Sequence, residues 1–213
     1  MELVSFGPWL MLCRCVFLNE CSSARRALAL GDGDGRFVAR LLRKNSAIQI
    51  DAVDASQSML EALVYQTGPN SARVHTLQAD VRRWQPENPP YDLIVSHFVL
   101  DCLTTEEVQS LAATLARAVS PGSLWIVSDF GTPASWFGWL VARPTVWALY
   151  CVFGWLTGLQ VHSLPDHSLA LRQAGFVLQK RKRLLGGLLI SELWSAAPVP
   201  KGTATQSPFV ALV

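Results

Sequence analysis

The sequence predicts an α/β domain: a mostly parallel sheet of seven strands with helices on both faces and a C-terminal antiparallel β-hairpin. Three observations carry this expectation. From Ala27 onward, short runs of Val, Ile, Leu and Ala alternate with helical stretches, as in strands buried on both faces. Alternating glycines, Gly31-Asp32-Gly33-Asp34-Gly35, fall between the first such strand and the first such helix. Two strand-like runs flank Gly186-Gly187, a hairpin signal. The 213 residues, 50% of them hydrophobic, suit one such domain and crowd two.

The elements follow in order. Pro8 to Glu20 reads as a short helix, so residues 1–26 are expected to form a helical cap. Glu2 and Arg14 set this apolar start apart from a secretory signal. The first strand is Ala27 to Leu30, and a helix from Phe37 to Lys44 follows the glycine loop, with Val38, Leu41 and Leu42 inward. Ile48 to Val53 is the second strand. Ser56 caps a helix from Gln57 to Gln66, which Gly68 stops. Arg73 to Leu77 is the third strand, and a proline-rich loop leads to the fourth, Tyr91 to Ser96. Thr104 and Glu107 form a capping box for a helix whose apolar face is Val108, Leu111, Leu115 and Val119. Pro121-Gly122 is read as a turn into the fifth strand, Ser123 to Asp129. A short helix runs from Asp166 to Gly175, and the hairpin strands are Phe176 to Leu184 and Leu188 to Trp194. The expected order is five strand–helix units and a closing hairpin. The main domain is placed at residues 27–197, with an apolar, tryptophan-rich insert or lid at 133–173 and a loose tail at 198–213.

Composition excludes several classes. A net charge of +2, from 18 cations and 16 anions, gives no footing for a nucleic-acid partner. Lys180-Arg181-Lys182-Arg183 is read as a solvated strand with two side chains on each face; an anionic membrane surface is the minority reading. Five cysteines with no C-x-x-C pair argue against a disulfide framework or a metal site and for a reduced, cytoplasmic setting. Pro144 to Val161 is uncharged and nearly long enough to span a bilayer, but Pro144, Gly154 and Gly158 favour a buried or lid helix.

The glycine loop is the centre of the functional reading. Glycine is needed where φ is positive or where a ligand presses on the main chain, and the following helix directs its N–H groups at that ligand. A dinucleotide fingerprint needs a third glycine where Arg36 stands, so a nicotinamide oxidoreductase is disfavoured. A phosphate-binding loop ending in Gly-Lys-Ser/Thr is absent. Asp54 closes the second strand, where a carboxylate can grip both hydroxyls of a ribose. Asp80, just past the third strand, is placed to meet an adenine amino group.

Taken in order, Ala27 to Gly35, Val53-Asp54-Ala55-Ser56, Ala79-Asp80-Val81, Tyr91-Asp92-Leu93-Ile94-Val95, Leu115 to Pro121-Gly122 and Ala174-Gly175-Phe176 resemble the class I S-adenosylmethionine-dependent methyltransferases, in the small-molecule branch that includes quinone-biosynthesis enzymes (methyltransferase type 11). The resemblance implies a Rossmann-like fold with S-adenosylmethionine as cofactor. It implies that Gly31, Gly33 and Gly35, with Asp32, cradle the methionine and ribose. It further implies that Asp54, Ala55 and Ser56 take the ribose, that Asp80 and Val81 frame the adenine, and that Ser96 and His97 lie beside the sulfonium. Two features depart from the family. Ala29 stands where an acid is usual, and few residues precede the first strand.

Methyl transfer asks the protein mainly to align donor and acceptor in a dry pocket, with a base only if the acceptor loses a proton. His97 is the expected base and Asp101 its orienting partner; Phe98, Phe130, Tyr150 and His162 are the expected acceptor-pocket residues. The expected activity is methyl transfer to a small, apolar or aromatic molecule. The alternatives are a non-catalytic binding or assembly module of the same fold and a monotopic membrane enzyme using the 144–161 segment.

Overall fold

The computed structural model of the protein describes residues 7–131 and 166–197. Seven strands, β1 (Arg26–Leu30), β2 (Gln49–Asp54), β3 (Val74–Gln78), β4 (Tyr91–His97), β5 (Val119–Phe130), β6 (Phe176–Leu184) and β7 (Leu189–Ala196), form one sheet in the order β3-β2-β1-β4-β5-β7-β6. The pairs among β1 to β5 are parallel. β7 runs antiparallel to both of its neighbours and closes the sheet as one arm of the β6–β7 hairpin. Helices α1 (Gly7–Cys15), α2 (Arg36–Lys44), α3 (Gln57–Thr67), α4 (Thr105–Arg117) and α5 (His167–Gln173) cover the faces.

Alternation along the strands divides the core in two. On β1, Ala27 and Ala29 face Phe37, Val38, Leu41 and Leu42 of α2, while Leu28 and Leu30 face the opposite cluster with Val108, Leu111 and Leu115 of α4. Both clusters are sealed by N-caps that the sequence specifies. The Thr104–Glu107 box starts α4, and the Ser56 hydroxyl accepts from the Met59 N–H. Asp166 caps α5 through the Leu169 N–H, which gives this carboxylate a structural task. The N-terminal segment is tied down by polar contacts. Cys13 Sγ donates to the Ile190 carbonyl at 3.2 Å, Ser128 Oγ donates to the Cys13 carbonyl at 3.3 Å, and Asn45 Nδ2 donates to the carbonyls of Cys21 and Ala24. These contacts seat α1 over β5 and β7.

The structure corrects three details. The expected helix from Pro8 to Glu20 is α1 followed by a separate 3-10 turn, Leu18–Cys21, because the chain must bend to bring the Cys21 and Ala24 carbonyls to Asn45. The third strand–helix unit has no helix; residues 79–90 form a turn in which the Arg83 and Trp84 N–H groups donate to the Asp80 carbonyl, and its prolines deny a helix the donors it needs. Pro121-Gly122 lies inside β5, where a register shift against Tyr91 and Leu93 accommodates it. Lys180, Arg181, Lys182 and Arg183 are all exposed, because β6 is the sheet edge and is bulged between Leu178 and Lys180. Lys180 pairs with Glu20 at 2.9 Å and Arg181 pairs with Glu192. Among the described residues no helix is long and apolar enough to cross a membrane, and the 144–161 segment lies outside them.

Glu192 is fully buried on β7 and accepts from His167 Nε2 at 3.2 Å, from Trp194 Nε1 at 2.8 Å and from Arg181 Nε. Burial alone would raise its pKa; the His167, Arg181 and Trp194 contacts outweigh that and lower it. Replacing Glu192 with Ala leaves Arg181 and His167 unpaired and should cost about 3–5 kcal/mol in urea unfolding at neutral pH. A folded-state pKa below the unfolded value near 4.3 contributes stability that is present above that value and lost as pH falls through the folded pKa. The difference between wild type and Glu192→Ala should therefore shrink on acidification.

Candidate active site

Parallel pairing puts the carboxyl ends of β1, β2, β4 and β5 on one rim. Leu30 lies opposite Val53 on one side and Ser96 on the other, and His97 lies opposite Ser128. The strand order reverses between β1 and β4, the place where open α/β sheets leave a crevice for ligands.

All three loop glycines have positive φ: Gly31 at 59°, Gly33 at 64° and Gly35 at 78°. Their surroundings differ. A Cβ on Gly31 would stand 2.2 Å from Val99 Cγ2, and one on Gly35 would stand 2.6 Å from the Leu63 backbone Cα. A Cβ on Gly33 would meet nothing within 4 Å. Gly31 and Gly35 are thus packing glycines that let the loop lie against the β4–α4 segment and α3, and Gly33 is the one that opens on free space. The Gly31 N–H donates to the Val53 carbonyl at 2.9 Å, which ties the loop to the end of β2 beside Asp54.

Asp54 is half-buried. Its Oδ1 accepts from the Ser56 N–H at 2.8 Å, and no other hydrogen bond engages the carboxylate among the described residues. Burial raises its pKa against that bond. Ala55 is exposed and its carbonyl accepts from Gln78 Nε2. A half-buried carboxylate with acceptor capacity to spare, beside an open glycine on the same rim, fits the sugar of a nucleoside. Asp80 is committed locally: Arg82 forks onto it, with Nη2 to Oδ2 at 2.6 Å, and this contact first of all lowers its pKa. Val81 beside it is partly buried against the α4-side cluster. Ser96 is buried, and its hydroxyl accepts from Trp125 Nε1 at 2.9 Å.

Asp32 is 2% exposed. Its Oδ2 accepts from the Val38 N–H at 3.1 Å, capping α2, and its Oδ1 is buried without a partner. Burial pushes its pKa up to about 7, against the pull of the Arg14 charge.

On the β4–β5 side, His97 is buried with its ring edge-on to Phe37 at 4.5 Å, and neither ring nitrogen has a hydrogen bond. Burial first, then the Arg14 charge, holds it neutral. Asp101 is not hydrogen-bonded to it. Asp101 instead lies beside Asp129 and acts on its titration. Burial, and then the Asp101 charge, raise Asp129 well above the usual carboxylate range. Phe98 and Phe130 meet at 5.1 Å with their rings tilted by 53°, and Phe98 has a left-handed backbone, φ 58°. Tyr150 and His162 lie outside the described residues. Sequence reading missed one residue. Arg14, taken only as a break in an apolar run, is buried and lies over the Phe98 ring at 5.5 Å. A lone cation amid the apolar residues of α1 was the available signal.

Comparison with known proteins agrees with this fold. The model of a methyltransferase domain matches residues 27–122. A chicken tRNA N(3)-cytidine methyltransferase, METTL2, is 28% identical over 119 residues, 52% of this chain and 31% of that protein. An uncharacterized methyltransferase of Synechocystis is 25% identical over 168 residues, 79% of this chain and 74% of that one. Among solved structures, the N-methyltransferase NodS of Bradyrhizobium japonicum, in complex with S-adenosyl-l-homocysteine, superposes with a TM-score of 0.63 at 12% identity over 89% of this chain and 84% of its own. A putative O-methyltransferase of Nostoc punctiforme superposes with a TM-score of 0.69 at 17% identity over 89% of this chain and 56% of its own. At these identities the structures speak for the fold. This chain spans about a third of the chicken protein and a little over half of the Nostoc chain.

Two outcomes are expected of the loop. Gly33→Ala should fold at a cost of about 1–2 kcal/mol for a left-handed alanine, whereas Gly35→Ala must displace the Leu63 backbone and should lose far more in thermal unfolding. Asp32, with a folded pKa above its unfolded value of about 4, takes up a proton on folding between those two values. Its contribution to stability is therefore fullest near pH 4 and falls as pH rises to about 7. Wild type compared with Asp32→Asn should lose roughly 1.4 kcal/mol per unit of that shift across the window; a constant difference in urea unfolding would mean that Asp32 is ionised throughout.

Proposed function

We propose, from the premise that this chain belongs to the class I S-adenosylmethionine-dependent methyltransferases, that it binds S-adenosylmethionine over the glycine loop and methylates a small, apolar or aromatic molecule. The observation that carries the reading is the shared rim of Gly33, open to a ligand, and Asp54, half-buried with acceptor capacity to spare. When bound, the cofactor supplies a methyl group already activated on a sulfonium. The residues of this chain have to bind, align and exclude water. Asp54 takes the ribose hydroxyls, Ser56 holds the Asp54 carboxylate through its N–H, and the loop backbone accommodates the nucleoside at Gly33. The adenine lies toward Asp80 and Val81, with Arg82 orienting the Asp80 carboxylate.

The acceptor lies on the β4–β5 side, against Phe98 and Phe130. Where it loses a proton, the Asp101–Asp129 pair receives it; Asp129 stands near the end of β5 and Asp101 on the 3-10 turn that follows β4, on the rim that holds the cofactor. His97, neutral and without hydrogen bonds, shapes the wall behind Phe37 and Arg14. A small acceptor is favoured over the tRNA named for the chicken relative by the net charge of +2 and by the aromatic pair at the rim.

Titration calorimetry with S-adenosylmethionine and S-adenosylhomocysteine tests the reading. Wild type should bind both. Asp54→Ala should keep its fold and lose charge-assisted hydrogen bonds of about 1.5–3 kcal/mol each. An unchanged affinity would remove Asp54 from the site. Asp129→Asn should bind cofactor normally and turn over hydroxyl or N–H acceptors more slowly. Cofactor binding without turnover of phenols, amines or tRNA would favour the non-catalytic module.

A further inference from the structure

We propose that the outward side of α1, with the basic flanks that α2 and β6 give it, docks the protein on an anionic lipid surface. This face of the molecule has no part in cofactor binding, so the inference stands apart from the cofactor reading above.

It begins with two large apolar side chains that face water. Trp9 and Leu12, three apart and so on one side of α1, are 43% and 49% exposed. The rest of the helix is committed inward. Met11 and Cys13 are buried, and Cys13 ties α1 to the sheet through the Ile190 and Ser128 contacts. Turning Trp9 and Leu12 inward would roll the helix and break both bonds.

The charges around them are of one sign. Neither α1 nor α2 contains an acid. On α2, Arg36, Arg40, Arg43 and Lys44 recur at three- and four-residue steps, and all are exposed. Arg40 Nη1 donates to Cys15 Sγ at 3.4 Å, which sets this stripe against the C-terminal end of α1. The other flank is β6. Its Lys180 and Lys182 lie opposite Leu193 and Ser191 of β7 and share their face of the sheet. That is the face α1 covers: Leu193 belongs to the α2-side cluster, and Ser191 Oγ meets Ser128 Oγ at 3.2 Å, where Ser128 also donates to the Cys13 carbonyl. The acids of this region are already paired, Glu20 with Lys180 at 2.9 Å and Asp34 with Arg36 at 2.8 Å. Among the described residues, Arg40, Arg43, Lys44 and Lys182 have no carboxylate within ion-pair distance. The whole chain carries only +2, so the grouping is one of placement.

An apolar centre with cations on both flanks selects its partner. The boundary between headgroups and acyl chains takes the indole of Trp9 and the side chain of Leu12, and anionic headgroups take the lysines and arginines. A nucleic acid calls for cations at the centre and offers Leu12 nothing. The position suits an apolar acceptor as well. The inner side of α1 sets Arg14 over the Phe98 ring at 5.5 Å, so the lipid face lies one helix away from the acceptor side.

Co-sedimentation of the full chain with vesicles tests the proposal. Wild type should pellet with equimolar phosphatidylserine and phosphatidylcholine, stay in solution with phosphatidylcholine alone, and be released by high salt. Trp9→Gln combined with Leu12→Gln should weaken binding about tenfold. Arg43→Gln and Lys44→Gln should each weaken it about fivefold. Arg117→Gln, exposed on α4 across the sheet, should bind as wild type does. The proposal is overturned if wild type ignores both vesicles or if the Trp9 and Leu12 variant binds undiminished. It is overturned equally if Arg117→Gln weakens binding as much as Arg43→Gln, or if the protein binds tRNA and not vesicles. Should the double variant lose its helical circular dichroism, Leu12→Gln alone, at the more exposed of the two positions, gives the same comparison.

Discussion

The hydrogen bond from the Gly31 N–H to the Val53 carbonyl holds the site together. It extends the β1–β2 ladder one residue beyond the strand and forces the chain to leave the sheet beside Asp54. From there the loop can turn back only with left-handed backbone at Gly31, Gly33 and Gly35. Val99 and Leu63 press on the first and third of these and fix the loop from below. The middle glycine is left facing outward. A larger residue at Gly31 or Gly35 would shift the whole rim, because the same packing aligns α2, α3 and the segment after β4.

Buried acids are treated differently in the scaffold and at the site. Away from the rim, buried acids are fully engaged. Asp51 accepts from the Tyr91 hydroxyl at 2.6 Å and lies within 3.5 Å of Arg26 and His75, while Glu192 has three donors. At the rim the pattern is reversed. Asp32, Arg14 and His97 each carry buried polar atoms without partners, and burial, then Asp101, raises the pKa of Asp129. A scaffold gains nothing from unmet charge. A group of such side chains around one rim is what a ligand site that exchanges polar partners requires.

Much of the fold was legible in the sequence because parallel strands buried on both faces read as continuous apolar runs, and because Ser56, Thr104 and Asp166 mark helix starts by a local rule. What the sequence hid depended on contacts distant along the chain. The turn after Asp80, the bulged start of β5 at Pro121-Gly122 and the break after Cys15 are each set by a partner strand or by Asn45, not by local propensity. The site was legible to the same degree. The glycines and Asp54 announce themselves by position. Arg14 does not, because its importance comes from α1 being laid across β5 and β7 by contacts more than a hundred residues away.

The same distinction bears on where a proton would go. A base needs a pKa near the working pH and reach to the acceptor. His97 has an ordinary pKa in that range, yet burial against Phe37 holds it neutral and walls it off. Asp101 and Asp129 begin as ordinary carboxylates, and their mutual burial moves one of them upward toward that range. Phe98 links the two possibilities. Its left-handed backbone is held by its N–H bond to the Ser128 carbonyl at 2.7 Å, and it carries the chain from the His97 side of β4 to the 3-10 turn bearing Asp101. A strained residue of this kind persists only when its surroundings fix it. Here it delivers Asp101 to the side of Asp129, so the facing carboxyls are an arrangement that the fold maintains at the cost of backbone strain.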